Sequence, residues 1–335
     1  MAIASRWREL SGENYWEGLL RPLDIDLRRY LIHYCQRAGA AGDAFNGTRA
    51  SKGYAHSLYT LLMSFSLGCL FGYVAVATDQ GKAALGRRDI LVSWRGTITH
   101  TEWANDANIF QTSAKELFGH DIFGHDIVQV CKVLQQLITM YQNEEVSITV
   151  TGHSLGAALA SLNAMDIAHN GFNKPAGNPN KAFVVTAFPI ASPRIGNKFF
   201  SGVCDKLENF RILRIVNSTD LVPKLPFLPG IYFHVGKELG LDTTKSPYLK
   251  WNISAHNLEA YQHAIAGQQE NGEFKLEEEV GFDNAVINKY TDGLLDEYKI
   301  PDNWWTKELF KNMVQADDGH WKFNDIAFVP GPPPA

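Results

Sequence analysis

A serine between two glycines is the residue of this chain best placed for covalent chemistry. Gly152-His153-Ser154-Leu155-Gly156 follows a run of β-branched residues and precedes an alanine-rich stretch. Strand, tight turn and helix in this order form a nucleophile elbow, which holds a serine hydroxyl clear of its neighbours at the carboxyl edge of a sheet. The two glycines remove side chains that would collide where the backbone turns back. The pattern predicts that Ser154 attacks a carbonyl carbon; the alternative is an ordinary glycine-rich turn.

A serine nucleophile needs a base to take its proton and an acid to orient that base. In sheets of this kind the acid and then the base follow the serine along the chain. Asp220 comes just after a predicted strand, 212–216, which places it on the same rim as Ser154. Its alternative role is that of a turn residue. His256 directly precedes an amphipathic helix and is the favoured base among the histidines that follow Asp220. The others are His234, His263 and His320.

Three of the remaining histidines have less reactive predicted roles. His153 is adjacent to the serine, but its side chain leaves the elbow in another direction, so we expect a hydrogen-bonded packing residue. His263 falls inside the helix that follows His256, where a structural role, either packed or exposed, is expected. His234 lies in an aromatic loop and could line a substrate wall.

Acyl transfer also requires donors aimed at the oxygen that becomes negative in the tetrahedral intermediate. The backbone N–H of Leu155 is the first candidate, because Leu155 follows the nucleophile. Thr97 is the second, since a predicted strand, 90–94, runs into Arg95-Gly96-Thr97 and Gly96 permits an unusual backbone turn. The alternative is that these residues form a plain turn.

Composition excludes several classes of protein. The chain has 335 residues, of which 45% are hydrophobic and 20% charged, so it can bury a large core. A net charge of −5 argues against nucleic acid as a partner. The first residues lack an apolar signal segment, and the longest apolar stretch, about 67–77, is too short to cross a bilayer. The four cysteines lie far apart without disulfide or zinc spacing, which is typical of a reducing compartment. We therefore expect a cytoplasmic protein.

Periodicity predicts helices first and then alternating strands and helices. That alternation predicts a mostly parallel sheet covered on both faces. After about residue 266 the sequence turns acidic and suggests helices and a hairpin folded back on the core. The predicted strands are 73–77, 90–94, 146–151, 182–188 and 212–216, and the predicted helices are 24–37, 126–143, 154–170 and 257–266.

Taken together, these motifs resemble those of plant class 3 (fungal-lipase-like) lipases, in the phospholipase A1 type II branch. The resemblance extends through most of the chain. Its motifs are Trp16–Leu20, Pro22–Tyr30, Gly86–Ile90, Trp94–Thr97, Gly152–Ala160, Ala191–Gly196, Asp220–Pro223, Ser246–Lys250 and His256–Tyr261. Typical members of the family are longer, with extra segments near residues 59–70 and 115–126.

The resemblance implies an α/β-hydrolase fold with a mostly parallel central sheet. It implies one domain, with an N-terminal helical segment (1–60), a catalytic core (70–266) and a C-terminal extension (267–335). It assigns a catalytic triad and an oxyanion hole, and no cofactor or metal is expected. The triad is Ser154, Asp220 and His256, and the oxyanion hole is formed by Thr97 and Leu155.

The activity implied by the resemblance is hydrolysis of glycerolipid esters, first the sn-1 acyl ester of phospholipids, through an acyl-serine. The expected partners are a glycerolipid substrate and, transiently, a membrane or lipid surface. An acyltransferase and a non-catalytic lipid-binding protein remain alternatives. Residues 98–118 are expected to form a lid or an apolar approach, the alternative being core packing. The pairs His120-Asp121 and His125-Asp126 could suggest a metal site but lack a full ligand set.

Overall fold

The fold is given by a computed structural model. At residues 2, 63–69 and 124–129 it describes the backbone but not the side chains. The described residues are 2–43, 63–69, 72–96, 124–228, 230–270, 272–307, 313–316 and 320–323.

Seven strands form one sheet, in the order in which they occur along the chain. The first three pair antiparallel, and the strands from the third to the seventh run parallel. The loops after these parallel strands therefore meet at one edge, which we call the carboxyl edge. The strands are β1 (Met63–Cys69), β2 (Gly72–Ala77), β3 (Arg88–Trp94), β4 (Val146–His153), β5 (Val184–Ile190), β6 (Phe210–Asn217) and β7 (Lys237–Leu241).

Helices cover both faces of the sheet. Successive strand residues point to opposite faces, so Leu91 packs in one core cluster while Ile90 and Val92 pack in the other. The helices are α1 (Ala2–Leu10), α2 (Ile25–Asp43), α3 (Asp79–Leu85), α4 (Gly124–Met140), α5 (Leu155–His169), α6 (Lys198–Cys204) and α7 (Leu258–Gly267). The cluster around Leu91 includes buried residues of α1, α2 and α7, and the cluster around Ile90 includes buried residues of α4, α5 and α6.

A buried polar network joins α2 to the sheet. Asp89 accepts hydrogen bonds from the hydroxyls of Ser147 (2.6 Å), Thr149 (2.8 Å) and Tyr34 (2.8 Å). Arg87 donates to the Tyr34 hydroxyl (2.8 Å) and to Ser147 (2.8 Å). Because polar groups so deeply buried are costly when unpaired, this network determines how α2 lies on the sheet.

The described residues of the C-terminal part form 3-10 turns and a short hairpin, so the helices expected after residue 266 are 3-10 turns rather than α-helices there. The hairpin strands are β8 (Met313–Gln315) and β9 (Trp321–Phe323), which pair antiparallel. The core of the C-terminal part contains three tryptophans in mutual ring contact, Trp304, Trp305 and Trp321. Among the described residues, the 3-10 turns are Val222–Lys224, Thr243–Lys245, Glu278–Val280, Asn284–Asn288 and Asp296–Tyr298.

A buried ion-pair cluster connects this C-terminal part to the rest. The Lys289 ammonium lies 2.9 Å from a carboxylate oxygen of Asp43, at the end of α2, and 2.9 Å from one of Glu259, in α7. The hydroxyl of Tyr290 donates to Asp43 (2.7 Å). We call Asp43, Glu259 and Lys289 the buried ion cluster.

The five predicted strands are all present, with ends shifted by at most two residues, and the predicted helices α2, α4, α5 and α7 are confirmed. Two strands were missed, β1 and β7, because β1 is rich in serine and glycine and β7 has only two buried positions. Helix α2 continues through Asp43 rather than ending at 37, since its small Ala and Gly residues are packed against the core. Within the described chain, no helix has both the length and the apolar character needed to cross a membrane.

Candidate active site

Ser154 lies at the tip of a strained elbow between β4 and α5. Its backbone has φ 61° and ψ −127°, values that a residue with a side chain rarely adopts. The N–H of Ser154 donates to the Ile190 carbonyl on β5 (3.0 Å), and its own carbonyl accepts from the N–H of Ala157 (3.0 Å). Bonds on both sides therefore hold the serine in a conformation that presents its hydroxyl at the carboxyl edge.

The glycines of the elbow are required by close backbone packing. A Cβ atom at Gly152 would lie 2.3 Å from the carbonyl oxygen of Gly156, and one at Gly156 would lie 2.3 Å from that of Trp94. No side chain fits at these distances. The first turn of α5 therefore lies directly against β3 and β4, which places the elbow at a defined position relative to both strands.

The three residues predicted to form the triad lie in one hydrogen-bonded chain. Nε2 of His256 is 2.8 Å from Oγ of Ser154, and Nδ1 of His256 is 2.7 Å from Oδ2 of Asp220. Ser154 and Asp220 are buried, and the side chain of His256 is 20% exposed. An imidazole that donates from Nδ1 to a carboxylate presents its other nitrogen as an acceptor. The geometry thus allows His256 to take a proton from Ser154.

Asp220 accepts more hydrogen bonds than the one from His256. Its Oδ1 accepts from the N–H of Val222 (2.9 Å), and its Oδ2 also accepts from the hydroxyl of Tyr261 (2.8 Å). Burial alone would raise the pKa of Asp220, but the hydrogen bond and charge of His256, with these two further donors, hold the pKa below its ordinary value. Asp220 is therefore a carboxylate at neutral pH.

Two residues that the sequence analysis did not select hold the site together. Asn217, at the end of β6, donates to the carbonyl of Ala255, the residue before His256 (2.9 Å). The N–H of Asn217 donates to the Tyr261 hydroxyl (3.0 Å), which in turn donates to Asp220. Their positions in the sequence could have identified them. Asn217 ends a strand three residues before Asp220, and Tyr261 lies on the helix that starts after His256.

The ring of His153 packs against that of His256. Their centroids are 4.6 Å apart, with an angle of 35° between the planes. Burial, followed by the nearby His256, lowers the pKa of His153 to about 3, so its ring is uncharged at neutral pH. The predicted packing role is confirmed, although its Nε2 has no hydrogen-bond partner among the described residues.

Neither His263 nor His234 makes a hydrogen bond or ring contact with Ser154, Asp220 or His256. His263 is fully buried and bonded on both nitrogens, to the Ser246 hydroxyl (2.7 Å) and to the Asn284 side-chain oxygen (2.9 Å). Its structural role is therefore the packed one of the two that the sequence left open. His234 is partly buried, and burial lowers its pKa to about 4. Whether His234 lines a substrate wall stays a prediction.

Of the two predicted oxyanion-hole donors, Leu155 is the one that lies among the described residues. Leu155 is the first residue of α5, so its N–H has no partner inside the helix and lies beside Ser154. Thr97, the second predicted donor, lies outside the described residues. The chain approaches the elbow at Gly96, where a Cβ atom would be 2.7 Å from the carbonyl oxygen of His153. Residues 98–118 and His120-Asp121 also lie outside the described part, as do the side chains of His125 and Asp126.

Comparison with known proteins identifies the family. The sequence pattern of the family Lipase (class 3) matches residues 91–229. Phospholipase A1-IIbeta of Arabidopsis thaliana is 39% identical, with 96% of this chain and 94% of the relative aligned. Phospholipase A1-II 1 of Oryza sativa subsp. indica is 39% identical, with 96% of each chain aligned. This chain belongs to the class 3 lipase family.

Class 3 lipases are carboxylic ester hydrolases, and the α/β-hydrolase fold predicted from the sequence is confirmed by the mostly parallel sheet with its elbow. A solved lipase from Rhizopus microsporus var. chinensis matches 64% of this chain and 74% of its own, with 26% identity and a TM-score of 0.46. The alignment with the Arabidopsis relative runs over 393 positions, more than the 335 residues of this lipase. Part of it therefore consists of positions that this lipase lacks.

A cavity of about 390 Å³ opens beside His256 in this lipase. Its lining includes Arg95, Gly96 and His153, together with two residues of the buried ion cluster, Asp43 and Glu259. A larger cavity of about 1000 Å³ lies at the outer edge of β7 and contains none of the triad residues. Of these two cavities, the smaller is the one whose lining includes a triad residue, His256. No cluster of three or more His, Cys, Asp or Glu side chains suited to a metal occurs in the described part of the chain.

Proposed function

We propose that this lipase hydrolyses the sn-1 acyl ester of glycerophospholipids through an acyl-serine intermediate. The observation that carries the proposal is the hydrogen-bonded chain from Ser154 Oγ to His256 and on to Asp220, with distances of 2.8 and 2.7 Å. The choice of substrate is supported by the relatives named phospholipase A1, which align over almost the whole chain.

In the first half of the reaction, His256 Nε2 takes the proton of Ser154 as Oγ bonds to the ester carbonyl carbon. The carbonyl oxygen becomes negative next to the N–H of Leu155 and, by the sequence prediction, that of Thr97. The tetrahedral intermediate then breaks its bond to the glycerol oxygen, which receives the proton from His256. The products of this half are a lysophospholipid and an acyl-Ser154.

In the second half, His256 takes a proton from water, and the resulting hydroxide oxygen bonds to the acyl carbon. The bond to Ser154 Oγ then breaks, and Oγ recovers the proton from His256. A fatty acid leaves. Asp220 stays ionised throughout, because its pKa is held below the ordinary value, and it stabilises the positive imidazolium and keeps Nδ1 as the protonated nitrogen.

We further propose that the lipase acts in the cytoplasm and contacts a lipid surface transiently, without a cofactor. The support for a reducing compartment is that Cys35, Cys131 and Cys204 are buried free thiols. Burial raises the pKa of the Cys131 and Cys204 thiols to about 12, so they are unreactive at neutral pH.

The experiment is incubation of the purified lipase with a phospholipid that carries different labelled chains at sn-1 and sn-2. We expect release of the sn-1 chain as a free fatty acid. Ser154→Ala should lower the rate by at least about a thousandfold, and Ser161→Ala should retain it. Ser161 is the matched control because it is a buried serine of α5, the helix that follows Ser154. Its hydroxyl donates to the Ala157 carbonyl (2.9 Å).

Other results would contradict the proposal. Release of the sn-2 chain would contradict the proposal that the sn-1 ester is the one cleaved. Transfer of the labelled chain to an added alcohol in preference to water would favour an acyltransferase. Unchanged turnover in folded Ser154→Ala would exclude the acyl-serine, and lipid binding by the active-site-intact lipase without any turnover would favour a binding protein.

A further inference from the structure

A loop next to Asp220 presents apolar side chains to solvent. It consists of residues 221–228 and 230–231, which we call the apolar loop. Leu221, Phe227 and Ile231 are 61%, 62% and 46% exposed, and Lys224 is the one charged residue between positions 221 and 231. Exposed apolar residues grouped in this way mark interaction sites.

The apolar loop is held in shape by its own hydrogen bonds. The N–H of Leu225 donates to the Val222 carbonyl (3.0 Å), and that of Ile231 to the Leu228 carbonyl (3.1 Å). The guanidinium of Arg194 donates to the carbonyls of both Lys224 (2.8 Å) and Pro226 (2.9 Å). The outward direction of the apolar side chains is therefore a property of the fold.

Two further exposed aromatic residues lie in segments that follow the carboxyl ends of β5 and β7. Phe199 is 80% exposed at the start of α6, after β5, and Trp251 is 96% exposed in the segment that leads from β7 to His256. The N–H of Phe233 donates to the Gly196 carbonyl (2.7 Å), which joins the segment before Phe199 to the end of the apolar loop. These residues all follow the carboxyl ends of parallel strands, as Ser154 does.

The charge of this surface is opposite to that of the whole chain. The segments 191–204 and 218–236 contain three basic residues, Arg194, Lys198 and Lys224, and one acidic residue, Asp220. Asp220 is buried in its contact with His256, and in the described chain none of the three basic side chains forms an ion pair with a carboxylate. The apolar loop and the segment around Phe199 therefore carry net positive charge in a chain of net charge −5. Beside Trp251, the ammonium of Lys250 is paired with Asp292 and Asp296.

We propose that the apolar loop, with Phe199 and Trp251, docks this lipase on an anionic phospholipid surface, with Lys198 and Lys224 facing the lipid head groups. The inference rests on the proposed function, and it names the kind of lipid surface on which the proposed hydrolysis takes place. Apolar side chains beside lysines are typical of proteins that lie in the lipid interface, and each lysine near an anionic leaflet adds attraction. Lysine is depleted at protein–protein interfaces, so a lipid surface fits this composition better.

The experiment measures co-sedimentation of Ser154→Ala lipase with vesicles, so that the lipid is not consumed. Vesicles of phosphatidylcholine alone are compared with vesicles that also contain phosphatidylglycerol. We expect stronger binding to the anionic vesicles, weakened by added salt. In the same background, Phe227→Ser with Ile231→Ser should weaken binding at least about tenfold, since each removes a large apolar side chain from the lipid.

Two single variants complete the set. Lys198→Gln should weaken binding to anionic vesicles about fivefold and leave binding to neutral vesicles unchanged. Met140→Ser is the matched control: Met140 is 69% exposed at the end of α4, just before β4 begins and thus at the opposite edge of the sheet. It should bind as the parent does. Thermal unfolding of every variant establishes that it is folded.

The docking proposal is overturned if the folded double variant binds vesicles as tightly as Met140→Ser. Equal binding to neutral and anionic vesicles would overturn the choice of an anionic surface. The proposal is also overturned if the parent forms a dimer in solution that the double variant does not form, while the parent binds no vesicles. The apolar loop would then be an interface with a second copy of this chain. Vesicle binding without phospholipid hydrolysis by the active enzyme would instead contradict the proposed function and leave the docking surface standing.

Discussion

Replacing Tyr261 by Phe tests how the acid of the triad is held. The Tyr261 hydroxyl is buried between two partners: it donates to Asp220 Oδ2 (2.8 Å) and accepts from the N–H of Asn217 (3.0 Å). Phenylalanine keeps the ring and removes both bonds. The perturbation is therefore confined to one oxygen atom.

The magnitude follows from these two bonds. A hydrogen bond to a charged group contributes about 1.5–3 kcal/mol, and a buried N–H left without a partner costs about 1–3 kcal/mol. Because the two effects overlap at one site, we expect Tyr261→Phe to lower the free energy of unfolding by about 3 kcal/mol at neutral pH. We also expect kcat to fall about tenfold with little change in KM, since Asp220 orients His256 rather than the substrate.

The loss should depend on pH in a defined direction. The pKa of Asp220 is depressed in the folded protein, so its contribution to stability is present above its unfolded pKa of about 3.9 and is lost as pH falls through the folded value. Removing the Tyr261 donor raises that folded pKa. The stability difference between variant and wild type should therefore be largest at neutral pH and shrink in acid.

The assays are urea unfolding across this pH range and hydrolysis of a short, soluble ester. Tyr248→Phe is the matched control, because Tyr248 is buried and its hydroxyl has no hydrogen-bond partner among the described residues. It should change the free energy of unfolding by less than about 0.5 kcal/mol. The reasoning is refuted if Tyr261→Phe matches this control in both stability and kcat, or if its effect on stability is the same at all pH values.

Three other perturbations have defined outcomes. Lys289→Met removes the cation between the two carboxylates of the buried ion cluster and should cost about 3–5 kcal/mol in urea unfolding. Lys82→Met, at a partly exposed pair with Glu144, should cost less than about 1 kcal/mol; equal costs would contradict this. Burial lowers the pKa of His263 to about 3, so stability should fall as pH drops from about 6.5 towards 3, by up to about 1.4 kcal/mol per pH unit for this residue. His263→Gln should flatten that slope, and an unchanged slope would count against the assignment. Gly156→Ala forces a Cβ to 2.3 Å from the Trp94 carbonyl oxygen and should cost about 1–3 kcal/mol with loss of ester hydrolysis; normal activity would show that the elbow tolerates the shift.

The site was predictable to the extent that it depends on local sequence. The elbow around Ser154 is determined by residues within a few positions, since the turn needs glycine at defined points whatever the rest of the chain does. The position of Asp220 on the same rim as Ser154 followed from the direction of parallel strands, whose carboxyl ends meet at one edge. His256 was favoured because it directly precedes an amphipathic helix. Strands and helices with clear periodicity, such as β4 and α5, were recognised for the same reason.

Tertiary structure alone decided which distant residues meet. Asp43 and Lys289 are 246 positions apart, and neither the charge nor the neighbours of either residue indicate that they form a buried pair. The Tyr261 hydroxyl contacts Asp220 only because α7 packs beside the end of β6, and β7 is a strand only because β6 offers it an edge. Such contacts depend on the packing of whole elements, and a hydrogen bond between two distant side chains leaves no periodic pattern in the sequence around either one.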